Sequence, residues 1–253
     1  MSKSIKAGVL GVAFAFAAAS PALAVPLASY NASIEATLSL TGVSVDSGTG
    51  DADVDILGDA FIIVDDAFAV GDASSSTGGA GASPAGFVPL ASDPIMIDIS
   101  ANGSATGIGF ADSIVSADGL VDIVNNSIDN TVKLDFELSY SVAADASVTD
   151  ALLQEASAIA FLELTNSQEF DPLLTLDLFA DTFFLEPGGA LTDIFMFSIF
   201  IEPLGGATLS LLADVSGVLT SDLEATIIPI PAAAPLFGFG ALVLLLKSRR
   251  RRS

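Results

Sequence analysis

Carboxylate side chains are the main candidates for chemistry in this sequence, and four of them cluster at short spacing. Hard carboxylate oxygens at alternate positions suit Ca²⁺. An EF-hand loop starting at Asp51 would need Gly at its sixth position and Glu at its twelfth, where this chain has Ile56 and Ile62. On a β-strand, alternate aspartates lie on one solvent-facing side. The cluster is therefore read first as a charged strand face and second as a calcium site. Its members are Asp51, Asp53, Asp55 and Asp59.

Nucleophilic catalysis of the common kinds is excluded by composition. The chain has no His and no Cys, so neither a Ser-His-Asp nor a Cys-His site can form. Two of its 31 acidic residues could act as a glycosidase pair, but no spacing marks such a pair. There is no Trp, and only Tyr30 and Tyr140 could stack on a sugar ring. The sequence predicts a protein that is not an enzyme and has no cofactor beyond the calcium alternative.

Charge divides the chain into a body and two ends. All 31 acidic residues and a single basic residue, Lys133, lie between residues 25 and 228, which gives this part a net charge of −30. The other seven basic residues lie in the two ends. Phosphate contacts require Lys and Arg, so the composition excludes a nucleic-acid partner. Since 51% of the residues are hydrophobic, the body can bury a core and is not intrinsically disordered.

Residues 1–24 have the organisation of a secretory signal peptide. Lys3 and Lys6 precede an uninterrupted small and apolar stretch over 7–19. Ala22 and Ala24 supply the small residues that signal peptidase requires before its cleavage site. The apolar stretch is short for a membrane span. We therefore expect export and cleavage after Ala24.

The C-terminal segment 227–253 combines an uncharged stretch with a basic end. Residues 227–246 are 20 uncharged residues, about the length of a membrane helix. Prolines disfavour helix in the first third of this stretch, so the transmembrane helix is expected over about 235–246. The basic end, Arg249, Arg250, Arg251 and Arg252, should stay cytoplasmic.

This tail resembles the PEP-CTERM class of sorting signals, in particular its VPLPA-CTERM branch. The resemblance covers about the last 26 residues and departs from the commonest form by having Ile where Glu is usual. It implies recognition by an exosortase-like processing enzyme, an inner-membrane intermediate, and delivery to the surface or matrix of a Gram-negative-type bacterium that makes exopolysaccharide. An ordinary single-pass anchor is the alternative. The motif is Ile228, Pro229, Ile230, Pro231 and Ala232.

The body over 25–226 is predicted to be built from β-strands. Residues 131–142 alternate apolar and polar side chains without a break, as in a half-buried strand. Shorter alternations occur at 34–40, 53–56 and 95–99. Many short strands separated by Gly and Pro, with no alternation of strand and helix, predict an all-β antiparallel β-sandwich, Ig/jelly-roll-like.

Three local predictions complete the reading of the body. The segments 192–201 and 207–219, separated by Gly205-Gly206, read as a β-hairpin. The Ser- and Gly-rich stretch 71–94 reads as a flexible loop. Residues 150–164 read as a short helix or turn that leads into a strand near 157–164.

The leading function hypothesis is an exported structural or interaction protein of the cell surface or biofilm matrix, associated with exopolysaccharide. That association is implied by the resemblance rather than by particular residues. Two alternatives remain at this stage. The first is a calcium-dependent adhesin or glycan-binding module that uses Asp51–Asp59, and the second is a carboxylate-dependent hydrolase.

Overall fold

The computed structural model describes residues 27–83, 88–90 and 93–222. These residues form an antiparallel all-β fold with no helix among them, so the predicted fold class is confirmed at this level. The segments 1–24 and 227–253 lie outside the described residues. Within the described ranges, no helix long and apolar enough to cross a bilayer is found.

The strands are β1 Ala28–Ser47, β2 Val54–Ser83, β3 Val88–Pro89, β4 Ile95–Asn125, β5 Thr131–Val148, β6 Gln154–Asn166, β7 Leu174–Asp181, β8 Glu186–Pro187, β9 Gly189–Ile201 and β10 Gly206–Ser221.

The strands belong to one hydrogen-bonded sheet that curls back on itself and nearly closes. The first half-sheet has the order β9–β5–β1–β4–β2, and the second has the order β8–β7–β6–β10–β4–β2. Residues 95–105 of β4 pair with β1, and residues 109–124 of β4 pair with β10. The long strands β2 and β4 therefore run through both half-sheets and join them. Across the interior, β1 and β5 face β6, β7 and β10.

The β2–β4 ribbon bends where it passes from one half-sheet to the other. The pairing register shifts between Gly71 and Ala73, which marks a β-bulge. Gly71 has a φ of +73°, and a Cβ on it would lie 2.4 Å from the carbonyl oxygen of Ile108. Only glycine fits both the backbone conformation and the close approach. Because of this bend, β2 and β4 can take part in both half-sheets.

The size of the buried side chains decreases along the strands from one end of the core to the other. At one end it contains large side chains such as Phe136, Leu134 and Leu164, all at most 1% exposed. At the other end the inward positions are mostly alanine, as at Ala32 and Ala158. Small inward side chains allow two packed sheets to approach closely. The ribbon bend lies at this alanine-rich end.

One large side chain, Tyr30, is buried at the alanine-rich end. Cβ atoms placed on Gly103 and Gly217 would lie 2.2 and 2.1 Å from its ring. Gly103 belongs to β4 and Gly217 to β10, so the ring packs against backbone from two strands. Its hydroxyl is 2.8 Å from the Ser113 hydroxyl.

The hairpin prediction for 192–201 and 207–219 is wrong, although both strands exist. β9 pairs with β5 in the first half-sheet, whereas β10 pairs with β4 and β6 in the second. The connection over 202–205 thus crosses between the half-sheets instead of joining neighbours. Its Leu204 has a φ of +55°, an uncommon conformation for a residue with a side chain.

The loop prediction for 71–94 is wrong over 71–83, which is the second part of β2. Ser74, Ser75 and Ser76 pair in register with residues 102–104 of β4. The pairing partner stabilises a strand that the composition alone does not favour. For 150–164, the turn at 151–153 and the following strand are found, and the strand starts earlier than predicted, at Gln154.

Candidate functional site

The four aspartates proposed as calcium ligands are divided between a loop and a strand. Asp51 and Asp53 precede β2, and Asp55 and Asp59 lie within it. The Asp55 carboxylate accepts a hydrogen bond of 3.0 Å from the Asn126 amide. In the described part of the chain, no three acidic side chains are grouped in a way that could hold a metal ion. The calcium site stays a prediction without geometric support from these residues.

The backbone around these aspartates is fastened to the β4–β5 connection. The Asn130 side-chain amide donates to the Asp51 carbonyl oxygen at 3.0 Å. The Asp53 N–H donates to the Ser127 hydroxyl at 3.2 Å. The loop that carries Asp51 and Asp53 is therefore held by hydrogen bonds to the β4–β5 connection.

Asn125 is a buried polar residue that the sequence reading missed. Its amide nitrogen donates to the carbonyl oxygens of Asn130, Ile201 and Glu202 at 2.8, 2.9 and 3.1 Å. Its amide oxygen accepts from the Ser127 N–H at 3.0 Å. The side chain is fully buried, and it joins the β4–β5 connection to the β9–β10 crossing. Residues 125–130, Asn-Asn-Ser-Ile-Asp-Asn, carry the turn-forming composition that could have pointed to it.

The single basic residue of the body is neutralised. The Lys133 ammonium lies 2.7 Å from the Asp135 carboxylate, and the Ser198 hydroxyl donates to the same carboxylate oxygen at 2.5 Å. The hydrogen bond from Lys133, and to a smaller extent that from Ser198, lowers the pKa of the Asp135 carboxyl below its ordinary value. Lys133 thus forms an ion pair at the surface.

The most regular polar feature is the outward side of the first half-sheet, which we call the serine-rich face. It consists of small hydroxyl, amide and carboxylate side chains on four adjacent strands, with Thr192 on a fifth. Neighbouring strands lie about 4.8 Å apart, and same-side residues about 7 Å apart along each strand. The members are Ser74 and Ser76 on β2; Asp98, Ser100, Asn102 and Ser104 on β4; Ser29, Asn31, Ser33 and Glu35 on β1; Ser141, Asp145 and Ser147 on β5; and Thr192 on β9.

These side chains form rows across the strands because the pairing is in register. One row consists of four serines, Ser74, Ser104, Ser29 and Ser147, in that order. Within it, the Ser29 and Ser147 hydroxyls are 2.8 Å apart, and those of Ser74 and Ser104 are 3.1 Å apart. The adjacent row consists of Ser76, Asn102, Asn31 and Asp145. A hydroxyl or amide can both donate and accept, so the rows offer an ordered array of hydrogen-bonding groups.

A shallow open depression lies on the same side of the half-sheet, farther along the strands, where Glu35, Ser141 and Thr192 pair in register. It is about 550 Å³ in volume, and its lining includes Glu35, Tyr140, Ser141 and Asp193. Burial, followed by the nearby negative charge of Asp193, raises the pKa of the Tyr140 hydroxyl. The Tyr140 side chain itself is buried in the core, so the outward polar groups of the depression are those of Glu35, Ser141 and their neighbours.

Sequence reasoning missed the serine-rich face because each strand alone reads only as polar on one side. The signal was available in residues 29–35 and 98–104, where small polar side chains alternate with buried ones. Their lateral alignment depends on pairing that the sequence does not specify.

A comparison of the chain with family models, curated proteins and solved structures finds no match. The function is therefore argued from the residues of this chain.

Proposed function

We propose that the protein is an exported, non-enzymatic component of the bacterial cell surface or extracellular matrix. The observation that carries the proposal is the distribution of charge: a β-strand body of net charge −30 lies between two basic, apolar ends. The N-terminal end has the layout of a secretory signal, and the C-terminal end that of a PEP-CTERM-like sorting tail. The absence of His and Cys from the sequence supports the non-enzymatic reading.

For the body we propose membership of the β-sandwich class, Ig/jelly-roll-like in its broad architecture. Two half-sheets that pack face to face around an apolar core support this assignment. The continuous β2–β4 ribbon between the half-sheets is an addition to the common arrangement.

The serine-rich face supports exopolysaccharide as the partner. Its hydroxyl and amide rows match a polymer that carries hydroxyl groups at regular intervals. The body's acidity favours a neutral polymer, or an anionic one bridged by cations. No interaction with nucleic acid is proposed.

Processing is tested by the intact mass of the protein recovered from its native host. Loss of residues 1–24 and of the segment after about Pro229 is the expected result. Recovery of the full-length chain from the cytoplasm would contradict the proposal. Retention of the tail in a membrane fraction would favour a simple anchor over exosortase-type cleavage.

Polysaccharide association is tested by co-sedimentation with exopolysaccharide purified from the same host. The variant Asn31→Leu/Asn102→Leu removes the amides of one row and should reduce binding several-fold. The matched control Ser157→Leu/Ser216→Leu alters the outward side of the second half-sheet and should bind as the wild type does. Equal binding by all three proteins would remove the serine-rich face from the proposal.

A further inference from the structure

Both ends of the described chain lie beside the same turn, residues 149–153. The Thr149 N–H donates to the Leu27 carbonyl oxygen at 2.8 Å. The Asp222 N–H donates to the Leu153 carbonyl oxygen at 2.9 Å. The C-terminal segment thus leaves the body at this end, which we call the exit end.

Large apolar side chains are exposed at the exit end. Leu152, in the 149–153 turn, is 94% exposed. Phe183, Phe184 and Leu185 follow β7 and are all more than 60% exposed. Phe183 lines a small depression with Leu219 and Thr220, close to the end of β10. The two apolar turns therefore flank the point of exit.

The turn over 183–185, which follows β7, exposes its side chains by means of an unfavourable backbone conformation. Leu185 has a φ of +58°, which is uncommon for a residue with a side chain. Phe183 and Phe184 contact each other edge to face, with ring centroids 5.1 Å apart. A strained conformation that exposes apolar groups to water points to a partner for those groups.

The sequence beyond the exit end identifies that partner. Only four residues, 223–226, separate Asp222 from the 20 uncharged residues over 227–246. The expected helix begins near residue 235, so 13 peptide units, which span at most about 45 Å, connect Asp222 to it. If that helix enters a bilayer, the exit end is the part of the body tethered to the lipid surface within this reach.

We propose that the exit end docks on the lipid bilayer, with Leu152, Phe183, Phe184 and Leu185 inserted in the interfacial region. This inference rests on the proposed function, because it requires a membrane-inserted tail. Moving apolar and aromatic side chains from water into that region lowers their free energy. The carboxylates of Asp150, Asp181 and Glu186 lie in or beside the same turns, so the docking favours neutral over anionic lipid.

The absence of Trp from the chain allows a site-specific test. The variants Phe184→Trp and Leu152→Trp each place a single Trp at the exit end. Phe170→Trp places one in the β6–β7 connection, near the opposite end of β6, where Phe170 is also fully exposed. Each protein, with residues 25–253, is mixed with phosphatidylcholine vesicles that contain a brominated fraction.

Docking predicts a blue shift and bromine quenching for Trp at 184 and at 152, and neither change for Trp at 170. Partitioning into vesicles with unquenched emission at 184 and 152 would overturn docking and leave the membrane tail intact. No partitioning at all would overturn the tail and the docking together. A blue shift that depends on protein concentration in the absence of lipid would assign the exit end to a second copy of the chain instead.

Discussion

The hydroxyl of Tyr30 and the hydroxyl of Ser113 form a buried hydrogen bond of 2.8 Å across the interior of the protein. Tyr30 lies on β1 in the first half-sheet, and Ser113 lies on the part of β4 that pairs with β10 in the second. The bond thus connects the two half-sheets at the alanine-rich end, where few large side chains are available to do so. Several predictions depend on this contact.

Substitution of Gly217 by Ala should destabilise the protein strongly. The new Cβ would lie 2.1 Å from the Tyr30 ring, which cannot move away because Gly103 closes the other side. Overpacking of this kind costs about 1–3 kcal/mol of unfolding free energy. Urea unfolding measures the effect. Gly189→Ala is the matched control because nothing lies within 4 Å of its added Cβ, and it should leave the midpoint nearly unchanged. Equal stability of the two variants would contradict the close packing of Tyr30.

Substitution of Tyr30 by Phe should cost about 1–2 kcal/mol, because the Ser113 hydroxyl is left buried without its partner. The double variant Tyr30→Phe/Ser113→Ala removes both groups and should recover part of this loss. Strictly additive losses in this double-mutant cycle would argue against a direct interaction.

Stability should fall at alkaline pH. Burial raises the pKa of both Tyr30 and Tyr140 above the ordinary value of 10.0. The folded protein therefore keeps these phenols protonated at pH values where the unfolded chain ionises, and unfolding is favoured as the pH rises above about 10. Urea midpoints between pH 8 and 11.5 measure the decline.

The control for the pH effect is the tyrosine-free variant Tyr30→Phe/Tyr140→Phe. Its stability is lower at pH 8, but its decline above pH 10 should be shallower than that of the wild type. The comparison is informative because the chain contains only two tyrosines. Parallel declines would assign the alkaline loss to other groups.

Substitution of Asn125 by Ala should destabilise the protein by about 2–3 kcal/mol, since three backbone carbonyls and one N–H lose a buried partner. The neighbouring Asn126→Ala is the control. The Asn126 side chain makes only an exposed hydrogen bond with Asp55, so its loss should change the stability by about 0.5 kcal/mol or less. Thermal unfolding followed by circular dichroism distinguishes the two.

Substitution of Glu35 by Gln should stabilise the protein by about 0.2–1 kcal/mol, because Glu35 lies directly opposite Asp98 on the serine-rich face. The gain should shrink at high salt, where exposed charges are screened. Glu137→Gln is the control because its cross-strand partners are Ser39 and Met196. A gain that is equal in both variants would reflect general charge reduction.

Several strands could be predicted from the sequence, but their pairing partners could not. The alternation over 131–142 correctly indicates β5, and those at 34–40 and 95–99 indicate β1 and β4. Alternation reports only which side of a strand is buried. Whether β9 pairs with β10 or with β5 depends on how the two half-sheets face each other, which is a property of the whole chain.

For the candidate sites, too, the sequence indicates the local structure but not the contacts with distant segments. The alternate aspartates Asp55 and Asp59 lie on a strand, as the sequence reading favoured, but the loop role of Asp51 and Asp53 depends on Asn130 and Ser127 from a distant segment. Residues 71–83 are a strand because β4 supplies a pairing partner, although Gly and Ser have low strand propensity.

The placement of the first and last strands has a consequence for biogenesis. β1 lies between β4 and β5, and β10 lies between β4 and β6, so each is an interior strand of its half-sheet. The first half-sheet is complete only once β9, which ends at Ile201, is available, and the second only once β10, which ends at Ser221, is available. If the chain is exported as we propose, it should therefore stay unfolded while it crosses the membrane. It acquires its final structure only after release, on a slow timescale set by contacts distant in sequence.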